Sequence, residues 1–181
     1  KLEVLANTSD SSYNNLYLPN TNCGNSGLGS GYRKDSITLD VALNVFTNEH
    51  PNLTLINFRE PDYTAHTNDS LGYIQEIKNV DSLINIIFDF VENDPIYNGR
   101  TSIFITNDHG RHDDATGSFS SHGDGCEGCR HILFAAYGPD FKNGEIINTA
   151  YEQIDIAETI SEMLNFNLPN SNGEVMLDLF E

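Results

Sequence analysis

Basic side chains are scarce. Nine Lys and Arg stand against 27 Asp and Glu, a formal net charge of -18 over 181 residues. A chain so acidic repels nucleic acid and anionic membrane at long range, so neither is expected as a partner. It also repels a phosphorylated substrate unless bound cations reverse the sign locally, and clustered carboxylates and imidazoles are what holds such cations. Long apolar runs are missing as well. No stretch approaches the roughly 20 residues needed to cross a bilayer, so no transmembrane segment is expected. The sequence opens without an initiator Met, a basic n-region or a signal peptide. It is therefore read as part of something longer: a mature product, an expressed piece or a proteolytic fragment.

Cysteine is limited to Cys23, Cys126 and Cys129. The Cys-x-x-Cys of CEGC admits a local disulfide, a zinc site completed by Cys23 or His131, or two reduced thiols. No second Cys-x-x-Cys exists, so the disulfide between Cys126 and Cys129 ranks first, leaving Cys23 outside it. GLGSG at 27–31 lacks the Lys-Ser/Thr ending of a phosphate-binding loop and reads as linker. Three Asn-x-Ser/Thr matches, at Asn7, Asn52 and Asn68, carry little weight in a chain so rich in Asn.

The rest is globular in pattern, with 38% hydrophobic residues and length enough for one core. Residues 1–34 are dense in Asn, Ser, Gly and Tyr and read as a loop-rich lid or insertion; residues 35–181 read as the folded domain. Ser36 is a plausible N-cap for a helix carrying Ile37, Val41 and Val45 and ending before Pro51. Leu53–Phe58 reads as a buried strand. Tyr73–Val91 is the clearest helix, with Tyr73, Ile77, Val80, Ile84, Ile87 and Val91 on one stripe. Thr101–Thr106 and His131–Tyr137 read as two further strands, and Gln153–Leu164 as a helix with Ile154, Ala157, Ile160 and Leu164 inward. This alternation predicts a layered α/β domain whose sheet is mostly parallel with helices on both faces.

Ligand-type residues gather where strands end. Asp62 and His66 are four apart after the first strand, a spacing that puts both on one side of a helix. Asp108 and His109 follow the second strand directly, and in an open parallel sheet that end is where ligand sites form. His122 sits in a loop that Gly123 and Gly125 loosen. Five N/O ligands of this kind suit zinc, or manganese where oxygen predominates. Arg59, Arg111 and Arg130 are scarce cations near them. His112 reads as a solvated loop residue, His50 as a helix end and His131 as a packed strand residue.

EPDYTAH, TNDHG, SHG and AAYGPDF, in that order and spacing, resemble the alkaline phosphatase superfamily, and within it the nucleotide pyrophosphatase/phosphodiesterase-like branch. The likeness runs from about Ser36 to Phe180, with Ala65 where relatives often carry Gly. It implies two divalent cations. Asp62, His66 and His122 would hold one firmly; Asp108 and His109 would belong to the second. The activity implied is hydrolysis of a phosphate mono- or diester through a Ser or Thr nucleophile. The strand-borne Asp and the nucleophile that precede these motifs in the family have no counterpart in residues 1–34, where Thr8, Ser9, Ser11 and Ser12 lie in a polar stretch. The chain is thus expected to be a carboxyl-terminal part whose missing amino-terminal part supplies both, and to be inactive alone. The ligand set is shared with cofactor-independent phosphoglycerate mutases; a sulfatase would show an aspartate-rich calcium pattern instead. A function of another class, a non-catalytic metal-binding module that keeps the fold, fits the same residues. Cysteines, sequons and acidity favour a periplasmic or extracellular setting.

Overall fold

A computed structural model of the chain describes residues 34–113 and 118–180. The lid or insertion expected over 1–34, Cys23 included, lies outside these residues apart from Lys34. Five helices and two strands follow: α1 Asp35–Glu49, α2 Glu60–His66, α3 Ser70–Asn93, β1 Ile103–Thr106, α4 Glu127–Arg130, β2 Phe134–Tyr137 and α5 Gln153–Met163, with a closing 3₁₀ turn at Leu177–Leu179. Among the described residues no helix is long and apolar enough to cross a membrane.

The architecture is mixed α/β, but its sheet is not the one expected. β1 and β2 pair antiparallel, Ile103 opposite Tyr137 and Thr106 opposite Phe134, and they are the only sheet among the described residues. Apolar runs identify strands without encoding the direction of the neighbour, and the 27-residue connection here allows a reversal as readily as a crossover. The strand expected at 53–58 is also corrected: this segment has no ladder partner, and Leu53 and Leu55 are exposed while Ile56 and Phe58 pack inward. An extended run becomes a strand only when a neighbour takes its N–H and C=O groups.

Alternate residues of β1 reach two cores, as the two-residue side-chain period requires. Ile103 packs against Leu39, Ala42 and Phe46 of α1 and Ile87 and Val91 of α3. Phe104, with Phe134 and Ala136 of β2, packs against Phe141, Met176 and Leu179, joined by Ile156 and Met163 of α5. Full burial of a Leu, Val, Ile, Phe or Met side chain stabilises a fold by about 1.5–3 kcal/mol, and Leu39, Phe46, Val91, Phe141, Met176 and Leu179 approach it. In α1 the inward set is Leu39, Val41, Ala42 and Phe46. Ser36 lies inside that helix instead of capping it, Lys34 being the N-cap. His50 ends α1 in the left-handed region at φ 49°.

α5 presents a different face from the one its apolar spacing predicts. Ile154 and Leu164 are exposed, while Asp155 and Thr159 are buried. Their hydrogen bonds give the reason: Asp155 accepts from Glu152 N at 2.6 Å and Glu174 N at 2.8 Å, and Thr159 Oγ1 accepts from Met176 N at 3.0 Å. Two polar side chains thereby tie the final segment to α5.

Asp35 makes the connection that matters most for the site. Its carboxylate is buried and accepts from the backbone N–H of Arg59 at 2.8 Å and Glu60 at 2.9 Å. These groups open α2, whose own N-cap residue, Arg59, provides no side-chain cap. Burial pushes the Asp35 carboxyl above its ordinary range, and the two N–H bonds pull it partly back. Asp35→Ala leaves both donors unpaired and is expected to destabilise the chain by about 1–2 kcal/mol. Asp35→Asn, which keeps one acceptor oxygen and sheds the buried charge, is expected to cost less. Denaturant unfolding checks the order; equal stability for both variants and the parent would remove Asp35 as the anchor of α2.

Candidate metal centre

Asp62 and His66 occupy one side of α2, a turn apart, with Ala65 between them fully buried. Asn68, in the left-handed region at φ 61°, turns the chain into α3, which Asp69 caps through Gly72 N at 2.9 Å. Asp108 and His109 follow β1. Asn107 pins that strand end by accepting from Leu133 N at 2.6 Å and donating to the His109 carbonyl at 2.7 Å. His122 arrives on the returning loop, where His112 N donates to Ser121 O at 3.2 Å. Gly123 and Gly125, at φ 104° and 76°, hold turns that side chains with a Cβ rarely adopt.

These residues converge on a single atom. Asp62 Oδ1 lies 3.5 Å from His66 Nε2, 3.7 Å from His122 Nε2 and 3.9 Å from His109 Nε2. His66 and His122 face each other Nε2 to Nε2 at 3.1 Å, and the His109 and His122 rings stack with centroids 3.7 Å apart. Asp108 is the outlying member: its side chain is 78% exposed, and Oδ2 sits 3.4 Å from His109 Nε2. The structure thus brings Asp62, His66, His109 and His122 together, with Asp108 reaching the group through His109.

Proton placement is legible at His109. Its Nδ1 is 2.9 Å from the Gly110 carbonyl, an oxygen that only accepts. Nδ1 therefore carries a hydrogen and Nε2 is the ring nitrogen turned to the cluster, the orientation usual for an imidazole that ligates a metal through Nε2. Burial, more than its neighbours His109 and Arg111, lowers the His122 pKa, against a smaller opposing pull from Asp62. His122 is accordingly neutral at pH 7 and able to donate electrons.

The sign of that shift gives a pH expectation. An unfolded His takes up its proton near pH 6.5, whereas folded His122 resists protonation until lower pH. The associated stability is present above about 6.5 and is lost as pH falls toward the lowered folded value. Thermal unfolding of the metal-free chain between pH 7.5 and about 5 is expected to show this acid loss, and His122→Gln to flatten it. An unchanged acid slope in that variant would contradict the neutral, desolvated imidazole.

Arg111 joins the cluster in a way its sequence position did not reveal. Its Nη2 donates to Asp62 Oδ1 and, at 3.2 Å, to the Asp62 carbonyl, while Nη1 reaches Phe119 O at 3.4 Å. The guanidinium thus neutralises the hub carboxylate through the same oxygen that faces the imidazoles. Arg59 instead lies over the Tyr63 ring at 3.9 Å.

The donor set fits a divalent cation. Zinc bonded to N and O at about 2.0–2.1 Å gives a tetrahedron with edges of about 3.3–3.4 Å. The triangle of Asp62 Oδ1, His66 Nε2 and His122 Nε2 has sides of 3.1, 3.5 and 3.7 Å. Two imidazoles and a carboxylate leave a fourth position open, the pattern of a catalytic rather than a structural site. Asp108 and His109 bring no third protein ligand of their own among the described residues.

The other Cys/His region departs from expectation. Cys126 and Cys129 are free thiols, not a disulfide. Cys126 caps α4, its sulfur accepting from Cys129 N at 3.4 Å, and both sulfurs face His112 Nδ1. His112, read from sequence as solvated, is nearly enclosed, its side chain 9% exposed. His131 is exposed and ends α4.

A family profile described as Metalloenzyme superfamily matches residues 20–168. A curated relative, the 2,3-bisphosphoglycerate-independent phosphoglycerate mutase of Haloquadratum walsbyi, is 25% identical over 131 residues, covering 72% of this chain and 25% of the relative. The chain spans about a quarter of the length of that relative. No solved structure matches.

Proposed function

The chain belongs to the Metalloenzyme superfamily, and from that premise we propose that it is part of a metal-dependent phosphoryl-transfer enzyme acting on phosphate mono- or diesters, in the manner of the phosphodiesterase/nucleotide pyrophosphatase-like branch. One observation carries the reading: three imidazole nitrogens lie within 3.9 Å of one oxygen of the Asp62 carboxylate, which gathers cation-binding side chains at one point of a chain of net charge -18.

In this reading Asp62, His66 and His122 hold one divalent cation, zinc or manganese, and Asp108 with His109 provide part of a second site. Bound there, the cations supply charge stabilisation for in-line displacement at phosphorus. The chain's own residues supply the rest. Asp35 fixes the start of α2 and so the position of Asp62 and His66; the Gly110 carbonyl fixes the tautomer of His109; Arg111 stands beside Asp62 as the cation nearest an incoming phosphate. The groups bonded to Asp62, His66, His109 and His122 among the described residues include no hydroxyl. The reading therefore assigns the nucleophile and the remaining ligands to polypeptide outside them, in keeping with the chain's quarter share of the mutase relative.

That relative gives a second reading a specific footing: an intramolecular phosphoryl shift, as in a phosphoglycerate mutase. The complete polypeptide, assayed with manganese or zinc on an aryl phosphate, an aryl phosphodiester and 3-phosphoglycerate, separates the two. Ester hydrolysis supports the first reading, isomerisation without phosphate release the second, and turnover unaffected by a chelator neither.

A further inference from the structure

A second group of ligand-type atoms lies in the loop that carries His122 but takes no part in the Asp62 cluster. His112 Nδ1 is 3.4 Å from Cys126 Sγ, 3.5 Å from Cys129 Sγ and 3.4 Å from Asp124 Oδ1, and one ligand atom from each of the four residues lies within 4.8 Å of all the others. Hydrogen bonding alone does not account for this convergence. An imidazole nitrogen has either one proton or one lone pair, so Nδ1 serves one partner at a time, yet two sulfurs and a carboxylate face it.

A cation at the centre does account for it. With Zn–S bonds of about 2.3 Å and Zn–N or Zn–O bonds of about 2.0–2.1 Å, a tetrahedral site has S-to-N edges of about 3.5–3.6 Å and N-to-O edges of about 3.3–3.4 Å. The three separations at Nδ1 match within about 0.2 Å. The surroundings hold the ligands in place. Cys129 N donates to Cys126 Sγ at 3.4 Å and Cys126 N to Asp124 Oδ1 at 3.0 Å, so backbone N–H groups already point at the atoms that carry negative charge in a metal site. The CEGC turn is pressed onto the strand of chain before it: Gly110 N donates to Cys129 O at 2.8 Å, and a Cβ at Gly128 would stand 2.4 Å from the Arg111 carbonyl. Only glycine at 128 allows the approach that brings His112 to the thiols.

We propose that His112, Asp124, Cys126 and Cys129 form a closed, four-ligand structural zinc site, separate from the Asp62 cluster. Two thiolates select zinc over magnesium, calcium and manganese, and four protein ligands leave no open position for substrate. Binding releases the two thiol protons to solvent. The site cross-links residues 112 and 124–129, so the loop between His109 and His122 is clamped at both ends: His112 lies three residues after one, Asp124 two after the other.

The test is cobalt(II) titration of the reduced 181-residue chain, read by absorption. The expected result is that one of the bound equivalents of cobalt carries a sulfur-to-cobalt charge-transfer band and the intense visible bands of tetrahedral coordination. The band is expected to persist in His66→Ala and Cys23→Ser and to vanish in Cys126→Ser/Cys129→Ser. Because the unsubstituted chain gives the primary reading, instability of the double variant does not blunt the test. Cobalt bound without the charge-transfer band, loss of the band in Cys23→Ser, or Cys126 and Cys129 recovered as a disulfide after zinc-replete anaerobic purification would each overturn the proposal.

Discussion

Replacing His66 by Ala is expected to remove one equivalent of bound zinc or manganese from the chain and to weaken binding at the Asp62 cluster by more than about 100-fold. The magnitude follows from ligand count. Loss of an outer-shell partner already costs about 10–100-fold in metal affinity, and here a direct ligand goes, leaving Asp62 and His122 with one edge of the three-atom face. His66 is the ligand to change because it is peripheral to the fold. It ends α2, its ring is about two-fifths exposed, and its removal opens no core cavity. Asp62→Asn would also disturb Arg111, which binds the same carboxylate. The substitution is best made where Cys126 and Cys129 are already Ser, so that metal analysis counts one site alone. Undiminished stoichiometric binding in that background would discard the assignment.

The second large effect concerns turnover. The 181-residue chain is expected to hydrolyse an activated aryl phosphate or phosphodiester at least about 1000-fold more slowly than the polypeptide that includes the proposed upstream part, each given zinc and manganese. Removing a single oriented charge-stabilising group from an active site costs about 100–1000-fold, and removing a nucleophile costs more. Under the proposed reading both are at issue, since Asp108 and His109 would give a second cation only two protein ligands and no hydroxyl among the described residues is bonded into the cluster. Chelation is expected to abolish the activity of the longer polypeptide. Equal, chelator-sensitive rates for the two would place a nucleophile within the 181 residues and refute that part of the reading.

How far the sequence disclosed these features depends on how local their causes are. Asp62 and His66 were legible because helical spacing alone puts them on one side, and Asp108 and His109 because an apolar strand ends just before them. His122 was legible through its flanking glycines, which do adopt turns suited to glycine. Arg111 was visible only as a nearby cation, because its bond to Asp62 spans 49 residues. Asp35 was missed because it acts on a helix that starts 25 residues later, through backbone donors that leave no mark on composition. The same holds for α5, where buried Asp155 and Thr159 answer to N–H groups of residues 174 and 176, so apolar spacing chose the wrong face. The antiparallel pairing of β1 and β2 and the unpaired state of 53–58 are properties of neighbours, which a strand's own residues do not specify. The Cys/His cluster has a readable signal in Asp-x-Cys-x-x-Cys with a His upstream, but the lack of a second Cys-x-x-Cys favours a disulfide instead, and nothing local points to Asp124 or His112.

The central claim, that Asp62, His66 and His122 form a metal centre, is tested most directly by zinc-edge X-ray absorption on the chain carrying Cys126→Ser and Cys129→Ser, loaded with one equivalent of zinc at pH 7.5. The account predicts a first shell of nitrogen and oxygen at about 2.0–2.1 Å with the outer-shell scattering of two imidazoles, and loss of half that imidazole signal in His122→Gln. A shell of oxygen alone, or a spectrum that His122→Gln leaves unchanged, would contradict it.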